Sequence, residues 1–363
     1  MVYGFSAYIM HGGSPGFRPN RLWLPAASRG DGVGALPLVV EEQAARVAEA
    51  IKQAVSRYRP DAFTDPRYYP DPGSDPETVA LYFLVMVAID HRLSRPGRPY
   101  EAVVEGERFH GADLLYRLGR LMLDRDPGFF SPERLARVTV EDVKRWLCVD
   151  GVCPPDPEAR AALLRDLGSR LQSLYGGSAA RLLEEAGGML HTWDPAGPGL
   201  VERLRVFEAY SDPVEKKPML LAKFLERRGL LEIRDPWNKR VPVDNHLTRI
   251  ALRLGLVELE PSLQRKVEEQ AETTPWEDLL IRTAVREAWH LVASRAGVDE
   301  FILDDILWTM GRRLCVHGQP RCTSCQGHWM CTQGGCILRS VCPTGLGLRR
   351  PVEEHRFLNT WWY

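Results

Sequence analysis

The chain has 363 residues, of which 44% are hydrophobic and 26% charged, with a formal net charge of −1. This is the composition of a soluble globular protein with core enough for two or three subdomains. It excludes a membrane-spanning helix, because no apolar run reaches the roughly 18 residues that a span needs; the longest candidate, residues 79–89, has the length of a buried helix. The stretch MVYGFSAYIMHGG lacks the charged start of a signal peptide, so a cytoplasmic protein with no membrane partner is expected. Charge is unevenly spread. Ile306–Val352 holds six Arg and no Asp or Glu, a basic region that suits contact with a polyanion.

Residues 1–40 are rich in Gly, Pro and Ser and read as an irregular lead-in. The pattern VVEEQAARVAEAIKQAVSRY predicts a helix from Val40 to about Tyr58, and RPDAFTDPRYYPDPGSDP a Pro-punctuated loop. Helical patterns follow over 76–92, 111–124, 131–147, 157–174, 178–186, 199–209, 214–228, 245–254, 261–271, 276–296 and 300–314. SPER at 131–134, TVED at 139–142 and SDPVE at 211–215 carry helix-start signals. Strand signals are few, at 103–106 and 230–234. The expected fold class is all-α, divided into an N-terminal extension (1–75), a helical domain (76–240) and a C-terminal domain (241–363).

Six of the eight cysteines fall between 315 and 342. In LCVHGQPRCTSCQGHWMC, Cys315, Cys322, Cys325 and Cys331 are spaced C-x6-C-x2-C-x5-C. A disulfide framework does not suit a reducing compartment. Spacing leaves two metal readings open. Zinc would want a second C-x2-C pair, or His317 and His328 as substitutes. Four unevenly spaced thiolates also suit wrapping around an iron–sulfur cubane. Cys336 and Cys342 are surplus to this pattern, and Cys148 and Cys153 read as core or loop residues.

A helix followed by C-x6-C-x2-C-x5-C resembles the iron–sulfur loop of the endonuclease III and MutY branch of helix–hairpin–helix DNA glycosylases. Upstream, VPVDNHLTRIALRLGLVE (241–258) supplies a carboxylate, Asp244, at the start of a helix with Leu247, Ile250, Ala251 and Leu254 on one face and His246, Arg249 and Arg253 on another. Gly255 ends it. Capping alone accounts for an Asp there. The pattern V-D-x-H followed by R-x-x-x-R-L-G is also similar to the segment carrying the catalytic Asp in that superfamily. The resemblance covers about residues 210–335. It implies a helical barrel joined to an iron–sulfur subdomain, a [4Fe-4S] cluster on Cys315, Cys322, Cys325 and Cys331, and Asp244 as the catalytic carboxylate. An ionised carboxylate can stabilise the positive charge that develops on a sugar as its N-glycosidic bond breaks, and can help deprotonate a nucleophile. The implied partner is double-stranded DNA with a damaged or modified base, bound by a monomer, with His246, Arg249, Arg313, His317 and Arg321 as nucleic-acid contacts.

The family's Gly-rich hairpin before the Asp is absent. The corresponding stretch, SDPVEKKPMLLAKFLERRGLLEIRDPWNKR, looks more like the archaeal 8-oxoguanine glycosylases, whose hairpin also diverges. That likeness makes Lys217 the first candidate for a Schiff-base nucleophile and Lys216 the second; with neither, water would attack. His91, His110, Asp113 and Tyr116 are polar groups in apolar surroundings, read as core or helix-end residues and, as a set, as the place to seek a base pocket. The C-terminal RFLNTWWY reads as stacked on the helical core. Two alternatives to a DNA glycosylase stand beside it: an N-glycosidase of a modified nucleoside, nucleotide or RNA, and a non-catalytic iron–sulfur protein that binds nucleic acid.

Overall fold

Side-chain caps set many of the helix starts. Thr139 with Asp142 and Thr274 with Glu277 form capping boxes, and Ser131, Ser178, Asp244 and Asp299 each accept a hydrogen bond from a first-turn backbone N–H. The computed structural model describes residues 36–363 apart from 96, 193–196, 326, 333 and 359. Most of the predicted 1–40 lead-in therefore lies outside the described residues.

The chain runs β1 (Leu38–Val39), α1 (Glu41–Arg57), α2 (Pro76–Ala88), a hairpin of β2 (Glu101–Val104) and β3 (Glu107–His110), α3 (Ala112–Arg125), α4 (Pro132–Leu135), α5 (Val140–Leu147), α6 (Pro157–Tyr175), α7 (Ala179–Ala186), α8 (Leu200–Leu204) and α9 (Lys216–Arg227). It continues through α10 (Asn245–Leu254), β4 (Val257–Glu258), α11 (Pro261–Glu268), α12 (Pro275–Ala296), α13 (Glu300–Arg313) and a small hairpin of β5 (Cys331–Thr332) and β6 (Gly335–Cys336). The protein is mostly helical. The sheets are two-stranded and antiparallel, with β1 on β4, β2 on β3 and β5 on β6. Among the described residues no helix is long and apolar enough to cross a membrane.

Three departures from the predicted elements have local causes. The 131–147 helix splits because Thr139 caps a new start. The 76–92 helix stops at Ala88, and its last carbonyls are taken by lysines described below. The 230–234 stretch is no strand: it leads into Asp235, a buried carboxylate that accepts the backbone N–H groups of Leu190 and His191. The 103–106 signal does form a hairpin, turning through Glu105 and Gly106 at φ 52° and 84°.

Two apolar clusters make the core. One gathers α2, α3, α5, α6, α7 and α9, and stacks Phe83 on Phe224 at 4.9 Å between ring centres. The other gathers α1, α10, α12, α13 and the cysteine loop. Helix α1 thus packs into the C-terminal half rather than standing apart within an N-terminal extension. Buried Gln43 fixes it there, donating to the carbonyls of both Leu254 and Val341 at 2.6 Å. The C-terminal tail straps both clusters: Arg92 donates to Phe357 O, while Tyr363 is buried with its hydroxyl on Asp278.

The ion pair between Arg282 and Asp212 is fully buried. Arg282 on α12 donates from both terminal nitrogens to Asp212, at 2.9 and 2.6 Å, and neither side chain is exposed. Removing one member of a buried pair leaves the other charge uncompensated. Arg282→Met is expected to lower the unfolding free energy by about 3–5 kcal/mol, read as a drop in the urea midpoint without a change in slope.

Candidate active site and metal centre

Asp244 sits at the N-cap of α10, half-buried, with Oδ1 accepting the Leu247 N–H at 3.0 Å. A helix start concentrates unpaired N–H groups and the positive end of the dipole, so a carboxylate is stabilised there. The preceding residue is anchored: Val243 O accepts from Arg282. Asp212, held by the same Arg282, accepts the N–H groups of Val214 and Lys216. The start of α9 and the residue preceding Asp244 are therefore clipped together through one guanidinium.

Both lysines point at the C-terminus of α2. Lys216 Nζ donates to Asp90 O at 3.0 Å and Lys217 Nζ to Ala88 O at 2.5 Å. Lys217 also lies 3.3 Å from His91 Nδ1. Burial, reinforced by the neighbouring Lys216, holds the Lys217 amine well below its usual range, and burial likewise holds His91 neutral. An uncharged amine is the nucleophilic form.

Lys223, a turn and a half along α9, is a different case. It is buried against Asp304 at 2.5 Å and Asp305 at 2.7 Å, and these carboxylates keep it charged despite its burial. Asp304 is pushed up to about 7, chiefly by burial, with the charges of Asp305 and Asp244 adding to it. Asp244 on α10 therefore lies close enough to Asp304 on α13 for its charge to act on it. Sequence reasoning missed Asp304 and Asp305. The available signal was two adjacent acids inside the otherwise apolar FILDDILWTM.

Of the expected nucleic-acid contacts, Arg313, His317 and Arg321 are exposed on the basic loop. Arg249 is not available: it is 2% exposed and spends its guanidinium on Cys315 O, Gly311 O and Glu354. It braces the end of α13 instead of facing solvent, which corrects the expectation. His246 is half-buried and lies 2.8 Å from Arg249; it packs so close to Gly311 that a Cβ there would stand 2.5 Å from the His246 Cβ. Burial lowers its imidazole below the usual range. Among the expected pocket residues, Asp113 pairs with Arg312 at 2.7 Å and His110 lies 3.4 Å from that same guanidinium. Tyr116 is buried among aromatic rings.

The cysteine loop also departs from expectation. Cys325 and Cys331 are joined to each other, as are Cys148 and Cys153. Of the expected four-thiol set, Cys325 and Cys331 are therefore bonded to each other, while Cys315 and Cys322 stay free. The thiols that come together are Cys315, Cys322, Cys336 and Cys342, which line one apolar cavity with Leu254 and Met310. Burial pushes the Cys336 thiol up to about 12 and the Cys342 thiol to about 11. Among the described residues no three metal-binding side chains converge on a single-ion position. Arg253, 1% exposed, organises the loop by donating to Val316 O, Gly318 O and Val352 O. No family model matches the chain, and no curated protein matches it.

The depressed Lys217 amine has a stability consequence. Between its folded value and the ordinary lysine value near about 10.4, the unfolded chain binds the extra proton, so this group's contribution makes stability rise with pH across that window. Lys217→Met is expected to stabilise the fold at pH 7 by about 1–2 kcal/mol and to flatten that rise, as measured by urea unfolding between pH 6 and 10.

Proposed function

We propose that the protein is a DNA glycosylase, cleaving the N-glycosidic bond of a damaged or modified base with Asp244 as its carboxylate. The observation that carries this reading is the placement of Asp244. It stands half-buried at the start of α10, with a buried lysine of lowered basicity at the start of α9, which Arg282 clips to the residue before Asp244, and with a basic, acid-free stretch from Ile306 to Val352 near the end of α10. A grouping of apolar residues into two clusters, one on α2–α9 and the other on α1, α10–α13 and the cysteine loop, supports a two-body reading of this kind.

As the bond to the base breaks, its electron pair leaves with the base and positive charge grows on the sugar. A carboxylate on that side stabilises the charge. If Lys217 attacks, its neutral amine forms the new bond to the sugar carbon and Asp244 accepts the ammonium proton. Of the three lysines on α9, Lys217 is favoured because burial lowers its basicity, whereas Lys223 is locked between two carboxylates. The burial of Lys217, at 0% exposed, favours a second reading in which water attacks and Asp244 activates it. Arg313, His317 and Arg321 supply phosphate contacts, which position the duplex without reading its sequence.

The test is base release from a panel of lesion-bearing duplexes. The wild-type protein is expected to release a base, and Asp244→Asn to lose at least about 10³-fold in rate while retaining its fold and its DNA affinity. Unchanged turnover in that variant, or no release from any lesion, sinks the proposal. On an abasic-site duplex, borohydride is expected to trap a cross-link that Lys217→Met abolishes and Lys216→Gln retains. Base release without trapping assigns the attack to water. DNA affinity is also expected to fall steeply with salt, and Arg313→Ala to reduce the slope of log K against log salt by about 1.

A further inference from the structure

Two anchors hold the candidate site, and they lie on different helices. The end of α2 takes the lysine amines, through Ala88 O and Asp90 O. Arg282 on α12 takes the backbone, through Val243 O and through Asp212, which accepts the Lys216 N–H. Neither anchor alone fixes where the amines stand relative to the residue before Asp244.

One residue of the C-terminal tail reaches both. The Tyr363 carbonyl accepts the Arg92 N–H at 3.2 Å, just beyond Asp90. The Tyr363 ring lies against the Arg282 guanidinium, whose central carbon stands 4.2 Å from the ring centre. Its hydroxyl donates to Asp278, one turn before Arg282 on the same helix, and His355 Nε2 lies 2.7 Å from the same carboxylate oxygen. Burial raises the phenol well above its usual range, so the hydroxyl stays a donor. The strap itself is pinned: Arg356 O accepts the Thr273 N–H, and Phe357 O accepts from the Arg92 guanidinium.

These contacts close a ring. It runs from the end of α2 through Tyr363 to Arg282, on to Asp212 and the start of α9, and back through Lys216 and Lys217 to the end of α2. Arg282 is the member whose orientation matters most. A guanidinium is planar, and its plane sets the direction of every bond it donates. Among the described residues its Nε meets no acceptor, so the aromatic face of Tyr363 is what steadies that plane from the side. Without the ring, Arg282 can tilt while it keeps Asp212, and the bond to Val243 O is the one that gives way.

We propose that Tyr363 is a positioning residue for the candidate site: it locks the end of α2 to Arg282, so that the Lys217 amine and the backbone before Asp244 are held to one frame. The catalytic consequence rests on the glycosylase reading above; the positioning rests on the contacts alone. A displacement of about 1 Å in reacting groups can cost about 10²-fold in rate, which sets the size of the expected effect.

Single-turnover base release is measured beside DNA affinity and amide hydrogen exchange. Tyr363→Leu removes the ring and the hydroxyl. It is expected to slow base release by about 10²-fold, to leave the DNA Kd unchanged, and to quicken exchange at the Lys216 and Leu247 amides, which Asp212 and Asp244 accept. Tyr363→Phe keeps the ring and is expected to restore most of the rate. Unchanged base release in Tyr363→Leu overturns the proposal, as does a loss confined to DNA affinity. Exchange that quickens evenly from α2 to α13 also overturns it, because that is general destabilisation. Since Tyr363→Leu risks misfolding, native-state exchange of the wild-type protein gives an independent reading. The Arg92, Lys216 and Leu247 amides are expected to open as one unit as urea is raised. Early opening at Arg92 that leaves the other two protected refutes the lock. If the wild-type protein releases no base from any duplex, the glycosylase reading fails by itself, and the exchange pattern still decides the role of Tyr363.

Discussion

The buried contact between Arg282 and Asp212 is the constraint on which the candidate site depends. Two charges taken fully out of water must satisfy each other and use their remaining hydrogen-bonding capacity nearby. Asp212 meets this need by also accepting the Val214 and Lys216 N–H groups, and Arg282 by donating to Val243 O. The outcome is geometric. The loop entering α9 and the residue preceding Asp244 are fixed to one guanidinium on α12, and Arg282 in turn lies over the Tyr363 ring at 4.2 Å. Four segments distant in sequence converge there, and the site inherits their rigidity.

A second arginine plays the matching part at the other end of α10. Arg253 reaches three carbonyls and one thiol around the cysteine loop, and Glu353 balances its charge at 2.8 Å. Arg249, one turn earlier, secures the carbonyls of Gly311 and Cys315. A loop of this kind has little apolar surface of its own to bury, so backbone carbonyls must find donors elsewhere. The arginine pair supplies them. This explains why two arginines that look solvent-facing on a helical wheel are among the most buried side chains in the protein.

How much of this was legible in the sequence follows from which forces act locally. Helix positions were legible because periodicity and caps are short-range: Asp244 begins a helix where its spacing says it should, and TVED carries the start signal at Thr139 although the 131–147 pattern runs through it. The 245–254 helix and its Gly255 stop were read to the residue. Partnerships across the fold were not legible. Nothing local distinguishes Arg249, which turns inward, from Arg313, which stays exposed, since the difference lies in whether α13 ends beside it. The cysteine grouping was hidden for the same reason. The spacing from Cys322 to Cys331 is real in sequence, but at Gly335 a hairpin folds back so that the Cys336 N–H donates to Cys322 O. Asp304 and Asp305 were passed over because an acid pair on an apolar helix reads as a surface feature until Lys223 is seen between them.

Helices α10 and α13 together define the distance over which the two halves of the site can act on each other. Asp244 and Asp304 lie near the starts of these helices, and the Arg253 and Cys315 contacts lie at their ends. The first turn of α10 packs against the last turns of α13: His246 approaches Gly311 too closely for any side chain there, and Arg249 donates to the carbonyls of Gly311 and Cys315. The cysteine loop therefore begins beside the helix turn that Asp244 caps, and the arginine that holds the entry to the loop also holds that turn.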